Sequence, residues 1–277
     1  MIISVHLLHE KLKQKEDIVI LDVRSDLKDE TIGIKIYKEN HIPGASHLDL
    51  KRDLASPAKE HGGENPLPDP NKLAKTLGNL GIDHQTEVVI YDNDNGMYAS
   101  RAWWVLYYIG LDNISILDGG YVKWVEAGFA TTEKIPVRDA KQLQPKVRND
   151  LFVDIEAVKE KVIKKEAILI DSRAPERYRG EVEPLYAKAG HIPGAINFPY
   201  QNVYRDDGTW KSEPELQEVF ASLPKTKKII VSCGSGVSAC SNVFGLKRSG
   251  FTNVKLYPGS YSDWISYEEN EVVKGDE

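Results

Sequence analysis

The chain is written twice, and that repetition limits what it can fold into more than any other feature. His41-Ile42-Pro43-Gly44-Ala45 returns as His191-Ile192-Pro193-Gly194-Ala195. Other landmarks recur around it in the same order. Ile18–Val23 answers Ala167–Ser172, Glu87–Asp92 answers Lys228–Cys233, and Ile114–Gly120 answers Val254–Ser260. Each copy then closes on an aromatic segment, Tyr121–Trp124 and Tyr261–Trp264. The strand aspartate precedes the turn histidine by 19 residues in the first copy (Asp22 to His41) and by 20 in the second (Asp171 to His191). Co-linear matches at this density mark one supersecondary module used twice. The second copy is shorter mainly between its HIPGA turn and its next strand.

Each module alternates short β-branched runs with helical periods. The periods predict helices over Lys72–Leu80, Met97–Ile109, Glu213–Leu223 and Val237–Ser249, and an amphipathic helix ahead of a strand at Ile18–Leu21. Strand–helix alternation predicts an α/β fold, each domain a mainly parallel sheet flanked by helices on both faces. Residues 131–150, rich in Thr, Lys, Gln and Pro, read as a linker between a domain over 1–130 and a second over 151–277. A chain of 277 residues suits two domains of ordinary size.

Charge and cysteine usage narrow the function classes. The net charge is −6 with acids and bases interspersed, which argues against nucleic acid as a partner because phosphate binding needs clustered cations. No apolar run approaches the roughly 18 residues of a membrane span. The N-terminus shows no basic leader followed by an apolar core, so no secretory signal is expected. The chain has 2 cysteines, too few for a disulfide framework, and a cytoplasmic, reducing setting is expected.

One loop carries chemistry. The strand Lys228–Ser232 runs into Cys233-Gly234-Ser235-Gly236-Val237-Ser238-Ala239 and then into a helical period. A cysteine at a helix N-terminus meets inward-pointing N–H groups and a positive dipole end, both of which favour thiolate. Gly234 and Gly236 are expected to supply positive backbone angles for a tight cradle, and Ser235 and Ser238 uncharged donors. A lone buried cysteine is more often inert packing. The repeat tips the balance, since the matching first-copy loop, Asp92–Tyr98, places a carboxylate where the sulfur would be. Cys240, seven positions on within the helix, is expected to be structural. Two cysteines without a spaced histidine make a poor zinc set, so no metal and no cofactor is expected. A cysteine phosphatase needs an arginine six positions after the nucleophile to clamp phosphate. Ala239 stands there.

On these residues the chain resembles the tandem rhodanese family over nearly its whole length. The marks are the paired HIPGA turns, Asp171-Ser172-Arg173 ending a strand, the loop at 233–239, and Tyr257-Pro258-Gly259-Ser260-Tyr261-Ser262-Asp263-Trp264. The resemblance implies two rhodanese-like domains, the active site between them and the working cysteine in the second. It implies a ping-pong sulfurtransferase in which Cys233 takes up a sulfane sulfur as a persulfide and passes it to cyanide, a thiol or thioredoxin. The loop Cys-Gly-Ser-Gly-Val-Ser-Ala is similar to that of the 3-mercaptopyruvate branch, while thiosulfate-using relatives carry basic residues after the cysteine. Gly234, Gly236, Val237 and Ser238 would then line the substrate.

The resemblance also assigns Arg177 to the substrate carboxylate. A second family arginine, expected after Glu183-Pro184, is replaced here by Leu185, with Arg179 as a stand-in. It assigns Asp53 and His61, with Ser235, to a relay that protonates the enolate left when sulfur departs. Trp264 would wall the pocket or, equally, pack in the core. Arg24 and Arg173 are expected to be internal salt-bridge partners of the strand-end aspartates. Thiosulfate as donor is the alternative enzyme reading. A non-enzymatic carrier or docking protein is the alternative of another class.

Overall fold

The computed structural model describes residues 1–93, 96–164 and 166–276. Asp94 and Asn95 of the first-copy loop lie outside the described residues. The chain forms two compact units.

The first unit comprises Met1–Ser56, Leu67–Arg148 and Arg205–Trp210. In chain order it runs β1 (Ile2–Ile3), α1 (Val5–Lys13), β2 (Ile18–Asp22), α2 (Ile32–Glu39), β3 (Ala45–His47), α3 (Pro70–Asn79), β4 (Glu87–Tyr91), α4 (Met97–Tyr108), β5 (Ile114–Leu117) and α5 (Gly120–Glu126). The strands form one sheet in the order β1-β5-β4-β2-β3, every pair parallel. Such strands are covered on both faces, which is why β2 reads Ile-Val-Ile-Leu-Asp and is buried throughout. The segment expected to be a linker is bonded along this unit. Lys141 donates its N–H to the Gly78 carbonyl at 2.9 Å, and Lys146 to Ile109 at 2.8 Å.

The second unit comprises Pro57–Pro66, Asn149–Tyr204 and Lys211–Glu277. The compact units thus depart from chain order at two short segments, 57–66 and 205–210, each lying after the short strand that an HIPGA turn leads into and before the next strand of the sheet. The second unit runs α6 (Ile155–Ile163), β6 (Ala167–Asp171), α7 (Pro175–Tyr178), β7 (Ala195–Asn197), α8 (Glu213–Val219), β8 (Lys228–Ser232), α9 (Ala239–Arg248), β9 (Val254–Leu256) and α10 (Ser260–Trp264). Its parallel sheet has the order β7-β6-β8-β9, with β6 and β8 central. Helix α8 is shorter than its sequence period; it starts on a Ser212–Glu215 capping box and ends at Phe220.

The twice-written motif has a structural purpose in both units. The Tyr37 hydroxyl donates to the Ala45 carbonyl at 2.8 Å, and Tyr178 does the same to Ala195 at 2.7 Å. The histidine rings stack on those tyrosines at 4.2 and 3.7 Å. Gly44 and Gly194 take φ of +83° and +77°, the left-handed angle that turns the chain into β3 and β7. The strand-end pairs also match: Arg24 meets Asp22, and Arg173 meets Asp171, each at 2.6 Å and buried. Each arginine also donates to the residue just before the turn histidine, at Asn40 and at Gly190. The conformation of the turn is therefore tied to the charge at the strand end. Among the described residues no helix is long and apolar enough to cross a membrane.

Candidate active site

Cys233 follows β8, a central strand of the second unit's sheet, where a parallel sheet presents its ligand-binding loops. The residue is buried, 2 % exposed, and its Sγ accepts the Gly236 N–H at 3.1 Å. Gly236 has φ +78°, and a β-carbon there would collide with the Pro258 carbonyl, so only glycine can bring this N–H to the sulfur. Gly234 does not share that role. Contrary to the expectation of two positive angles, its φ is not positive. It is glycine because the Tyr186 hydroxyl lies 2.9 Å from where a β-carbon would stand. Val237 and Ser235 of the loop are buried, at 1 % and 7 % exposure, and Ser238 leads into α9.

The first residues of α10 hold the loop from behind. Tyr261 donates its N–H to the Cys233 carbonyl at 3.0 Å, and Ser262 to Gly234 at 2.8 Å. The Ser260 hydroxyl accepts the Cys233 N–H at 3.1 Å and donates to the Tyr257 carbonyl at 2.8 Å. Its oxygen is 4.0 Å from Sγ. Ser260 carries φ +55°, an angle that costs a side-chain residue energy. The matching Gly120 of the first unit has φ +58°. The repeat therefore puts a serine, under strain, where geometry asks for glycine, and its hydroxyl supports the Cys233 backbone. Sequence reasoning missed Ser260. The signal was there, as a Gly-Ser in one copy against a Gly-Gly in the other.

The first unit shows what the same loop does without sulfur. The Asp92 carboxylate accepts the N–H groups of Gly96, Tyr98 and Ala99 at 3.1, 2.9 and 3.1 Å. The carboxylate fills the cradle and caps α4 itself. Asp92 donates no sulfur chemistry and leaves those N–H groups nothing to offer a ligand.

The other sequence-derived candidates fall in different places. Arg177 donates to Glu183 Oε1 at 2.8 Å, and its guanidinium lies 5.5 Å from the centre of the Tyr186 ring. Glu183 is buried and also accepts from Arg173 at 3.3 Å, so it clamps the two arginines together. Arg179 turns to the surface, where it pairs with the exposed Glu181 at 2.7 Å. The Asp53 carboxylate, in the first unit, accepts the Asp49 N–H at 2.8 Å and the Arg52 guanidinium at 2.7 Å. His61 belongs to the second unit, where its Nδ1 meets Ser266 Oγ at 2.8 Å and its ring stacks on Tyr267 at 4.0 Å. Trp264 packs in the core of the second unit, and its Nε1 donates to the Glu271 carbonyl at 2.8 Å. Cys240 is fully buried with Sγ 3.5 Å from the Gly236 carbonyl, the setting of a structural thiol. Among the described residues no group of His, Cys, Asp and Glu is arranged to hold a metal.

Tyr186 is the second group that the sequence did not reveal. Its hydroxyl lies over Gly234, next in the chain to Cys233, and donates to Glu64 Oε2 at 3.2 Å. Burial pushes its pKa well up, and the negative charges of Glu64 and Cys233 push it further, so it stays a neutral donor. Glu64 reaches it on the segment 57–66, whose Gly62 N–H donates to Asp263 at 2.7 Å and whose Glu64 N–H donates to Ser262 at 3.2 Å.

The model of the rhodanese-like domain matches residues 4–127 and again 154–267. A probable 3-mercaptopyruvate sulfurtransferase of Pseudomonas aeruginosa is 38% identical over 265 residues, covering 94% of this chain and 93% of its own. The thiosulfate sulfurtransferase of Bos taurus is 35% identical over 240 residues, 83% of this chain and 79% of its own. Among solved structures, SseA from Escherichia coli, described as a 3-mercaptopyruvate sulfotransferase with the rhodanese fold, superposes with a TM-score of 0.82 at 31% identity. That match covers 94% of this chain and 98% of that one. By two matched domains and by likeness over 94% of its length, the chain belongs to the rhodanese-like family.

Proposed function

We propose that the protein is a sulfurtransferase that moves a sulfane sulfur from 3-mercaptopyruvate to a thiophilic acceptor through a persulfide on Cys233. The observation that carries this reading is the contrast between the two loops. Cys233 Sγ receives the Gly236 N–H at 3.1 Å, where the first unit spends its cradle on the Asp92 carboxylate.

The chemistry runs in two displacements. The Cys233 thiolate attacks the donor's thiol sulfur; an S–S bond forms and the C–S bond breaks. The electron pair goes to the enolate of pyruvate, which takes up a proton and leaves. An acceptor then attacks the outer sulfur and breaks the S–S bond, so that cyanide departs as thiocyanate and the thiolate returns. Gly236 and the N-terminal end of α9 stabilise negative charge on the sulfur at both stages. Small thiols and thioredoxin are acceptors of matching chemistry, and a reducing compartment keeps Cys233 available to them. Arg177 is the substrate-side cation in this reading. Thiosulfate is the second donor, favoured by Leu185 standing where the mercaptopyruvate branch has an arginine.

The test is the intact mass after incubation with donor alone. The wild-type chain should gain one sulfur, Cys233→Ser none, and Cys240→Ser as much as wild type. Equal loss of uptake in both variants would overturn the assignment of the nucleophile.

A further inference from the structure

We infer that Tyr186 is the general acid of the sulfur-loading step, delivering its phenolic proton to the methylene carbon of the pyruvate enolate, with Glu64 fixing the hydroxyl in place. This inference rests on Cys233 being the sulfur acceptor and names the proton donor that such a step requires.

The geometry starts at Gly234. The Tyr186 hydroxyl lies 2.9 Å, and the ring's Cε2 3.3 Å, from the position a β-carbon would take there, so the phenol is seated on the residue next to the nucleophile. Its ring is held by an edge contact to Tyr261 at 5.8 Å between centres and by the Arg177 guanidinium at 5.5 Å. The hydroxyl bond to Glu64 is 3.2 Å, longer than the O–H···O optimum of about 2.7–2.8 Å. A bond that long keeps the oxygen in place and lets the proton turn to a stronger acceptor arriving over Cys233. The segment that brings Glu64 is itself fixed, because a β-carbon on Gly63 would collide with the Gly259 carbonyl and Gly62 donates to Asp263.

The histidine that the family resemblance offers for this task is engaged elsewhere in the second unit. His61 Nδ1 is bonded to Ser266 and its ring is stacked on Tyr267. Tyr186 is the phenol that the structure places beside the cysteine loop. Burial and the negative charges of Glu64 and Cys233 raise its pKa, so the phenol is protonated and its proton is present when the enolate forms.

The step balances without an outside reagent. Sulfur attack leaves Cys233 with a protonated persulfide and the donor as an enolate. Tyr186 gives its proton to the enolate carbon, completing the methyl group of pyruvate. The tyrosinate, a strong base at this raised pKa, then takes the proton from the more acidic persulfide. The net movement is of the donor thiol's proton to carbon.

Discharge of the persulfide to cyanide needs no such proton, which supplies an internal control. Tyr186→Phe keeps the ring over Gly234 and removes only the hydroxyl. We expect single-turnover loading of Cys233 by 3-mercaptopyruvate to fall about a hundredfold in this variant, the usual size of a lost general acid, while discharge of the loaded enzyme to cyanide changes little. Glu64→Gln should slow loading by a smaller factor and also spare discharge. Unchanged loading in Tyr186→Phe, or an equal fall in loading and discharge, overturns the inference and assigns the side chain to packing. A wild-type chain that gains no sulfur from any donor would instead remove the sulfurtransferase reading itself.

Discussion

Ser260 offers a perturbation whose sign can be worked from the structure. The residue sits at φ +55°, and for a side-chain residue the left-handed region costs roughly 1–2 kcal/mol. Its hydroxyl satisfies two buried main-chain groups, the Cys233 N–H at 3.1 Å and the Tyr257 carbonyl at 2.8 Å. Ser260→Ala keeps the strained angle and strips both partners. A buried polar group left without a partner costs about 1–3 kcal/mol, so the alanine variant, with two such groups, should lose about 2–6 kcal/mol of stability. Ser260→Gly strips the same two bonds but removes the strain, as Gly120 does at the matching place at φ +58°. It should therefore be more stable than the alanine variant by about 1 kcal/mol, in spite of glycine's entropy in the unfolded chain. Urea titration of the full chain, read as the midpoint at constant slope, measures both values. Both variants should also load sulfur more slowly than wild type, since each loosens the nucleophile's backbone. An alanine variant as stable as wild type would refute the argument, as would a glycine variant less stable than the alanine one.

Two further outcomes follow from the charge layout. Glu183 is buried and binds both Arg173 and Arg177, whereas Arg173 keeps Asp171 if it is removed. Glu183→Gln should therefore cost about 2–3 kcal/mol in urea titration, below the usual range for a fully orphaned buried charge. Arg177→Ala, at a partly exposed site, should cost about 1 kcal/mol or less in stability but lower kcat/KM for the anionic donor by a larger equivalent. The reverse ordering would deny Arg177 a place at the substrate. The alkaline limb of stability is also fixed in sign. Burial raises Tyr37, with Asp22 adding to it, and burial likewise raises Tyr261; each is pushed from 10.0 to about 12. The folded chain holds these protons more tightly than the unfolded one, so their contribution is full below pH 10.0 and is lost as pH rises through about 12. Phenolate absorbance should show both ionising late, and denaturant midpoints should fall over the same window.

The positions that the sequence revealed are those where local chemistry repeats. Both HIPGA turns, the strand-end Asp and Arg pairs and the cysteine loop could be found because the second copy served as a control for the first. Asp92 against Cys233 is the clearest example, since one substitution at one matched place separates a loop capped by its own carboxylate from one whose N–H meets a cysteine sulfur. Gly236 was readable because its positive angle is needed for the Sγ contact. Gly234 was misread, because its reason is a tyrosine 48 positions earlier in the chain and not an angle of its own. Tyr186 and Glu64 carried no motif, and nothing in their spacing says that they meet.

The twofold α/β plan, the parallel sheets and the place of the cysteine loop at the end of a central strand were thus determined by sequence alone, because hydrophobic period, turn glycines and helix-end electrostatics act over a few residues. The tertiary structure decided which side chains gather around Cys233. It turned Arg179 to the surface, tied Arg177 to Glu183, bonded His61 to Ser266, and set the Tyr186 phenol on Gly234. Those choices depend on groups brought together from far apart in the chain, 122 residues for Tyr186 and Glu64 and 205 for His61 and Ser266. Only packing and the burial of charge can select among such pairs, and a linear pattern does not record them.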